Sequence, residues 1–163
     1  MKKGVLLVLL SCFLLSSCER DDICAAVTPI TPLLVIDFFD ADNPSEPKVP
    51  DGLFIAEEGA DVGLAFSSAS ISIPLRTDAN QTRYDFILNF GEVDGDTPQN
   101  IDRLIFNYIP QEEFVSKACG FRVTYQGLQD EFIPLQDNAW IANITILDAT
   151  IDDETEAHIR IFH

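Results

Sequence analysis

Two histidines, four cysteines and 27 carboxylates are the side chains of this 163-residue sequence best equipped for chemistry. Paired carboxylates can cleave a glycosidic bond, one as acid and the other as base or nucleophile. With 27 acids, however, no pair is singled out by spacing. Oxygen ligands on bent loops suit Ca²⁺, and Asp37, Asp40 and Asp42 share one strand end and turn, while Asp94 and Asp96 share another. These are weak candidates, because the twelve-residue calcium loop with its closing glutamate is missing, and solvated acidic turns explain them as well. His158 alternates with Arg160 and Phe162, the pattern of a satisfied rim residue on a strand, and His163 is the last residue. The chain has no His-Glu-x-x-His, no Gly-x-Ser-x-Gly, no phosphate-cradling glycine loop and no dinucleotide fingerprint. The expectation is therefore no enzyme, no cofactor and no metal. Trp140, which follows Asp137-Asn138-Ala139 at a strand start, is the candidate for a ligand contact at a rim, with packing into the core as the favoured alternative. Tyr84, Tyr108 and Tyr125 lie on alternating apolar faces and belong to a core.

Lys2 and Lys3 precede the apolar run Gly4 to Leu15, which is secretory signal architecture. About twelve apolar residues fall short of the ~20 that a spanning helix requires. Leu15-Ser16-Ser17-Cys18 resembles the lipobox of bacterial lipoproteins. That resemblance implies cleavage before Cys18, acylation of the new N-terminus, and anchoring by buried methylenes at ~0.8 kcal/mol each. Glu19-Arg20-Asp21-Asp22 resembles the surface-export signals of Bacteroidetes lipoproteins, with a plain solvated tether as the alternative. Cys12 leaves with the signal, so Cys24 and Cys119 remain. An oxidising envelope predicts a disulfide between them. Neither a Cys-x-x-Cys nor a neighbouring histidine supports a metal or redox pair. A bridged Cys119 is also no nucleophile for a dyad with His158.

Without Lys2 and Lys3, eight basic side chains face 27 acidic ones, a formal charge near −19. That balance excludes nucleic acid, whose affinity comes from lysine and arginine contacts to phosphate. It equally disfavours an electrostatic hold on anionic headgroups.

Period-two alternation positions these residues. Tyr84, Phe86, Leu88 and Phe90 alternate with Arg83, Asp85, Ile87 and Asn89, Leu104, Phe106 and Tyr108 with Arg103, Ile105 and Asn107, and Phe121, Val123 and Tyr125 with Arg122, Thr124 and Gln126. Ile71, Ile73 and Leu75 repeat the pattern, with Pro74 marking an edge or strand end. Leu33 to Phe39 is continuously apolar but for Asp37, like a strand covered on both faces. Trp140 to Leu147, His158 to Phe162, Phe54-Ile55 and Val62 to Phe66 complete the set. Asp40 to Pro47, Asp51-Gly52, Asp94 to Asp96 and Gln126-Gly127 supply turns. Pro110 to Lys117 has room for one helical turn and no more. The predicted class is all-β: a single antiparallel β-sandwich or barrel-like domain of about 7–9 strands behind a lipidated N-terminal tether. The expected boundaries are residues 1–17 for the signal peptide, 18–28 for the tether and 29–163 for the domain.

Cys18 followed by Cys24, then Thr28-Pro29-Ile30-Thr31-Pro32 and the strand Leu33 to Phe39, is similar to a family of small Bacteroidetes, chiefly flavobacterial, lipoproteins of unknown function. Val115 to Phe121 and the ending His158 to Phe162 fit the same pattern. The resemblance implies fold and location, and brings no activity, substrate or cofactor. The expected function is a lipid-anchored, non-enzymatic β-domain, a binding or accessory component of the outer membrane or cell surface. Its partners would be the membrane, through the lipid, and an envelope protein or glycan. The alternatives are an acid-residue hydrolase acting on extracellular polysaccharide and a Ca²⁺-dependent structural or adhesion module.

Overall fold

A computed structural model describes residues 23–91 and 97–163. Cys18, the Glu19 to Asp22 cluster, and Asp94 with Asp96 lie outside the described residues. Among those described there is no helix and there are nine strands: β1 Leu34–Phe39, β2 Leu53–Glu57, β3 Gly63–Phe66, β4 Ser70–Ile73, β5 Gln81–Leu88, β6 Asn100–Ser116, β7 Gly120–Pro134, β8 Asn143–Ile146 and β9 Ile159–Phe162. Among the described residues the chain divides into two compact units, Ile30–Glu113 with Arg122–His163, and residues 23–29 with Phe114–Phe121.

The larger unit is a two-sheet, sandwich-like all-β structure. One sheet has the order β4-β1-β9-β8 and the other β3-β2-β5-β6-β7. The pairs β1–β4, β2–β3, β2–β5, β5–β6 and β8–β9 are antiparallel, and β1 with β9 is parallel. Alternation puts Tyr84 and Phe86 of β5 opposite Leu104 and Asp102 of β6, and these side chains join Phe38, Phe106 and Tyr125 in the buried interior. In β1 the residues Leu34, Val35 and Ile36 are buried in succession. The inward Leu34, Ile36 and Phe38 are fully buried, whereas the other face, with Val35 and Asp37, borders an open groove, so β1 is fully covered on one face rather than on both.

Two further local expectations are corrected. Pro110 to Lys117 forms no helical turn, because β6 stays extended to Ser116. A lone turn of helix carries the full nucleation cost, whereas the adjacent β7 offers a hairpin ladder. Gln126-Gly127 is likewise not a chain reversal but lies inside β7. Tyr125 exchanges both backbone hydrogen bonds with Ile151 (3.0 and 2.8 Å), and the next bond runs from Leu128 N–H to Ala149 C=O (2.9 Å). One extra residue therefore sits on β7, with Gly127 at φ 66°. That is a glycine bulge, and it lets Tyr125 and Leu128 both be buried despite their odd spacing.

The three tyrosines clasp the segment that carries the chain from β4 to β5. The Tyr84 hydroxyl donates to Pro74 C=O (2.6 Å), Tyr125 to Leu75 C=O (3.1 Å) and Tyr108 to Arg76 C=O (2.9 Å). Burial, first of all, pushes Tyr84 and Tyr125 up to about 12 from an ordinary value of 10. Because the fold holds these protons more tightly than the unfolded chain does, their contribution is complete below pH 10 and is lost as pH rises toward 12. Urea unfolding across that interval should show the decline. Tyr125→Phe should flatten it and cost about 1–3 kcal/mol at neutral pH.

In the smaller unit Cys24 and Cys119 are joined by the expected disulfide, with 5.0 Å between Cα atoms.

Candidate functional site

The larger unit carries an open polar groove of about 690 Å³, lined by the β8–β9 connection and by the outer face of β1 and β9. Its residues include Asp37, Ser70, Asp148, Asp152, His158 and Arg160. A four-residue strand, β8, ends at Ile146, and the next strand begins only at Ile159. The intervening loop is acidic and exposed, with Ile151 as its buried anchor.

Much of that negative charge is engaged in shaping the loop. Asp148 Oδ1 accepts Thr150 N–H (2.8 Å), and Asp153 Oδ1 accepts both the N–H (2.8 Å) and the hydroxyl (2.6 Å) of Thr155. Glu154 Oε1 reaches back to Leu33 N–H (3.0 Å). The Thr155 bonds hold Asp153 below its ordinary value, opposite to what a general acid needs. Arg160, the cation of the groove, stacks over Phe39 with Cζ 4.3 Å from the ring centroid.

His158 sits at the edge of β9, only 4% exposed. Its backbone N–H donates to Val35 C=O (2.9 Å), and its Nδ1 accepts Val35 N–H (3.1 Å). The ring thus copies a backbone acceptor and extends the β1 ladder, which puts the proton of the neutral imidazole on Nε2. Burial lowers the pKa of His158 from 6.5, against the raising pull of Asp148, Asp153 and Asp152. Burial lowers that of His163 too. A histidine held neutral in the fold contributes stability in full above pH 6.5 and loses it as pH falls through its lowered folded value. Acid titration of the melting temperature should show that fall. His158→Asn keeps an acceptor for Val35 N–H and should weaken the dependence.

Residues 53–163 match the family of unknown function DUF6452. The chain belongs to this family. No curated protein and no solved structure matches the chain. The DUF6452 stretch contains the groove loop, all three tyrosines and Cys119, whereas β1 and Cys24 precede it.

Of the residues singled out in the sequence, Asp37 and His158 share the groove, and the rest lie elsewhere. Asp37 lies in β1 opposite Ser70 and Arg160. Asp40 closes its own turn, accepting Asp42 N–H (2.7 Å) and Asn43 N–H (3.3 Å), with Lys48 Nζ at 3.6 Å from its other oxygen. Those backbone bonds, Asp42 first, hold Asp40 below its ordinary value. Asp42 is exposed on the same turn. Among the described residues no group of three or more His, Cys, Asp or Glu side chains could hold a metal ion. Trp140 is half-buried, its indole N–H donating to Phe86 C=O (3.2 Å) and its ring packing against both Phe38 and His163, with centroids 6.5 and 5.6 Å away.

Sequence reasoning missed Asp102. It is fully buried, and its Oδ2 accepts the N–H groups of Trp140 and Ile141, both at 2.9 Å. Its Oδ1 is buried without a partner, and burial raises its pKa. The signal was available: Asp102 occupies the inward phase of Asp102, Leu104, Phe106 and Tyr108, where alternation calls for an apolar side chain. The groove acids were equally visible as Asp148 to Glu156. Only the fold shows that they wall one groove.

Proposed function

We propose that this DUF6452 chain is a bacterial envelope lipoprotein of the Bacteroidetes kind, a non-enzymatic binding or accessory domain held at the outer membrane or cell surface by acyl chains on Cys18. The disulfide between Cys24 and Cys119 carries the reading. Such bonds persist in oxidising compartments outside the cytoplasm. With that pair joined and Cys12 within the apolar run, Cys18 is left at the position where a lipobox places its acyl acceptor. The acidic groove supplies a surface for a polar, hydroxyl-rich or cationic ligand of the envelope, a glycan or a protein segment. Lys48, Arg76, Arg83, Arg103 and Arg122 are engaged in ion pairs, which supports a role away from nucleic acid.

Mass spectrometry, fractionation of a Cys18 variant and an activity panel test it. The native protein should begin at an acylated Cys18 by mass spectrometry. Cys18→Ser should move it from the membrane to the soluble fraction with an unchanged melting temperature. Continued attachment of that variant would reject the anchor. Hydrolysis of a glycan or peptide panel, abolished by one carboxylate substitution in the groove, would reject the non-enzymatic role.

A further inference from the structure

The smaller unit exposes four large apolar side chains, Ile23, Val27, Phe114 and Phe121. Phe114 and Phe121, at the tip of the β6–β7 hairpin, are 58% and 66% exposed, and their rings meet edge to face with centroids 5.3 Å apart. The disulfide fixes this tip to residues 23–29, where Ile23 and Val27 are 83% and 93% exposed. Single apolar residues on a surface are ordinary, but clustered ones mark a contact.

The length of the preceding chain identifies what they meet. Cys24 lies six positions after Cys18, and a fully extended segment of that length spans about 20 Å. The Cα atom of Cys119 is a further 5.0 Å from that of Cys24. If Cys18 carries the acyl chains, on which this inference rests, the tip cannot stray far from the lipid surface. We propose that the Phe114–Phe121 tip inserts into the lipid interface beside the anchor, a second and non-covalent membrane contact aimed by the disulfide. Its chemistry is apolar. Glu112 and Glu113 precede Phe114, and Lys117 is the one cation between them and Phe121, so the contact is with the acyl–headgroup boundary of zwitterionic lipid rather than with anionic headgroups.

The test uses the full acylated protein in phosphatidylcholine vesicles with and without brominated acyl chains. Phe121→Trp and Phe114→Trp are made singly, both at exposed positions, and compared with the parent, whose own tryptophan is Trp140. Side chains seated roughly 5–10 Å into the interface should lose about half of the added emission to bromine, beyond any loss in the parent and equally at high salt. If the variants float with the vesicles and melt like the parent, yet show no added quenching, the insertion is overturned and the anchor stands. A protein that does not float and lacks acyl mass overturns the anchor and the insertion with it. A dimer in solution that dissociates on Phe114→Ser, with no added quenching, would make the tip a contact between copies and overturn the proposal.

Discussion

Replacing Cys119 by serine is expected to lower the unfolding free energy by about 4–5 kcal/mol under oxidising conditions, the largest single loss foreseen for this protein. The bridge spans 95 positions, so cutting it releases a long closed loop in the unfolded chain and raises that chain's entropy. Folded-state contacts contribute less to the effect than the unfolded ensemble does. Urea titration should therefore show a lower midpoint and also a steeper slope, because an unbridged unfolded chain exposes more surface. The double variant Cys24→Ser/Cys119→Ser should match the single one, and reductant should bring the parent to the same midpoint. An unchanged midpoint in all three would mean that the bond contributes nothing. Under the proposed anchoring through Cys18, membrane attachment should survive these changes.

Asp102→Ala should cost about 2–4 kcal/mol, because it leaves the N–H groups of Trp140 and Ile141 without their buried acceptor. The damage should reach Trp140 directly, since Asp102 fixes the backbone from which its indole reaches Phe86 C=O. A red-shifted tryptophan emission at a denaturant concentration that leaves the parent folded would report it. Asp102→Asn keeps an oxygen for both donors and removes a charge that burial disfavours, so it should recover most of the loss. If alanine and asparagine proved equally harmless, the carboxylate would be a bystander. A stability loss as large for asparagine as for alanine would assign the effect to charge instead.

The reach of the sequence can be judged from particular residues. Strand identity was legible wherever one face is buried: Tyr84 and Phe86, or Leu104, Phe106 and Tyr108, announce their side by spacing alone. Prediction failed where local signals had two readings. Gln126-Gly127 is good turn chemistry and equally good bulge chemistry, and the choice was made by the backbone of Ile151 and Ala149, distant in sequence. Pro110 to Lys117 has no core face to report on, so its extended state depends on a partner strand that local propensity does not reveal. Trp140 could be placed near a strand start but not packed, since its neighbours Phe38, Phe86 and His163 come from three other parts of the chain.

By itself the chain determined an all-β class, through alternation with period two, and pointed to Cys24 and Cys119 as a pair. Only the tertiary structure decided that Asp37, the five acids of the β8–β9 loop and a histidine share a groove, that three tyrosines hold one crossing segment, and that a buried aspartate positions Trp140. The reason is physical. Periodicity is a property of neighbours along the backbone, whereas grooves, clasps and buried polar pairs are made by residues that meet only after the sheets have stacked.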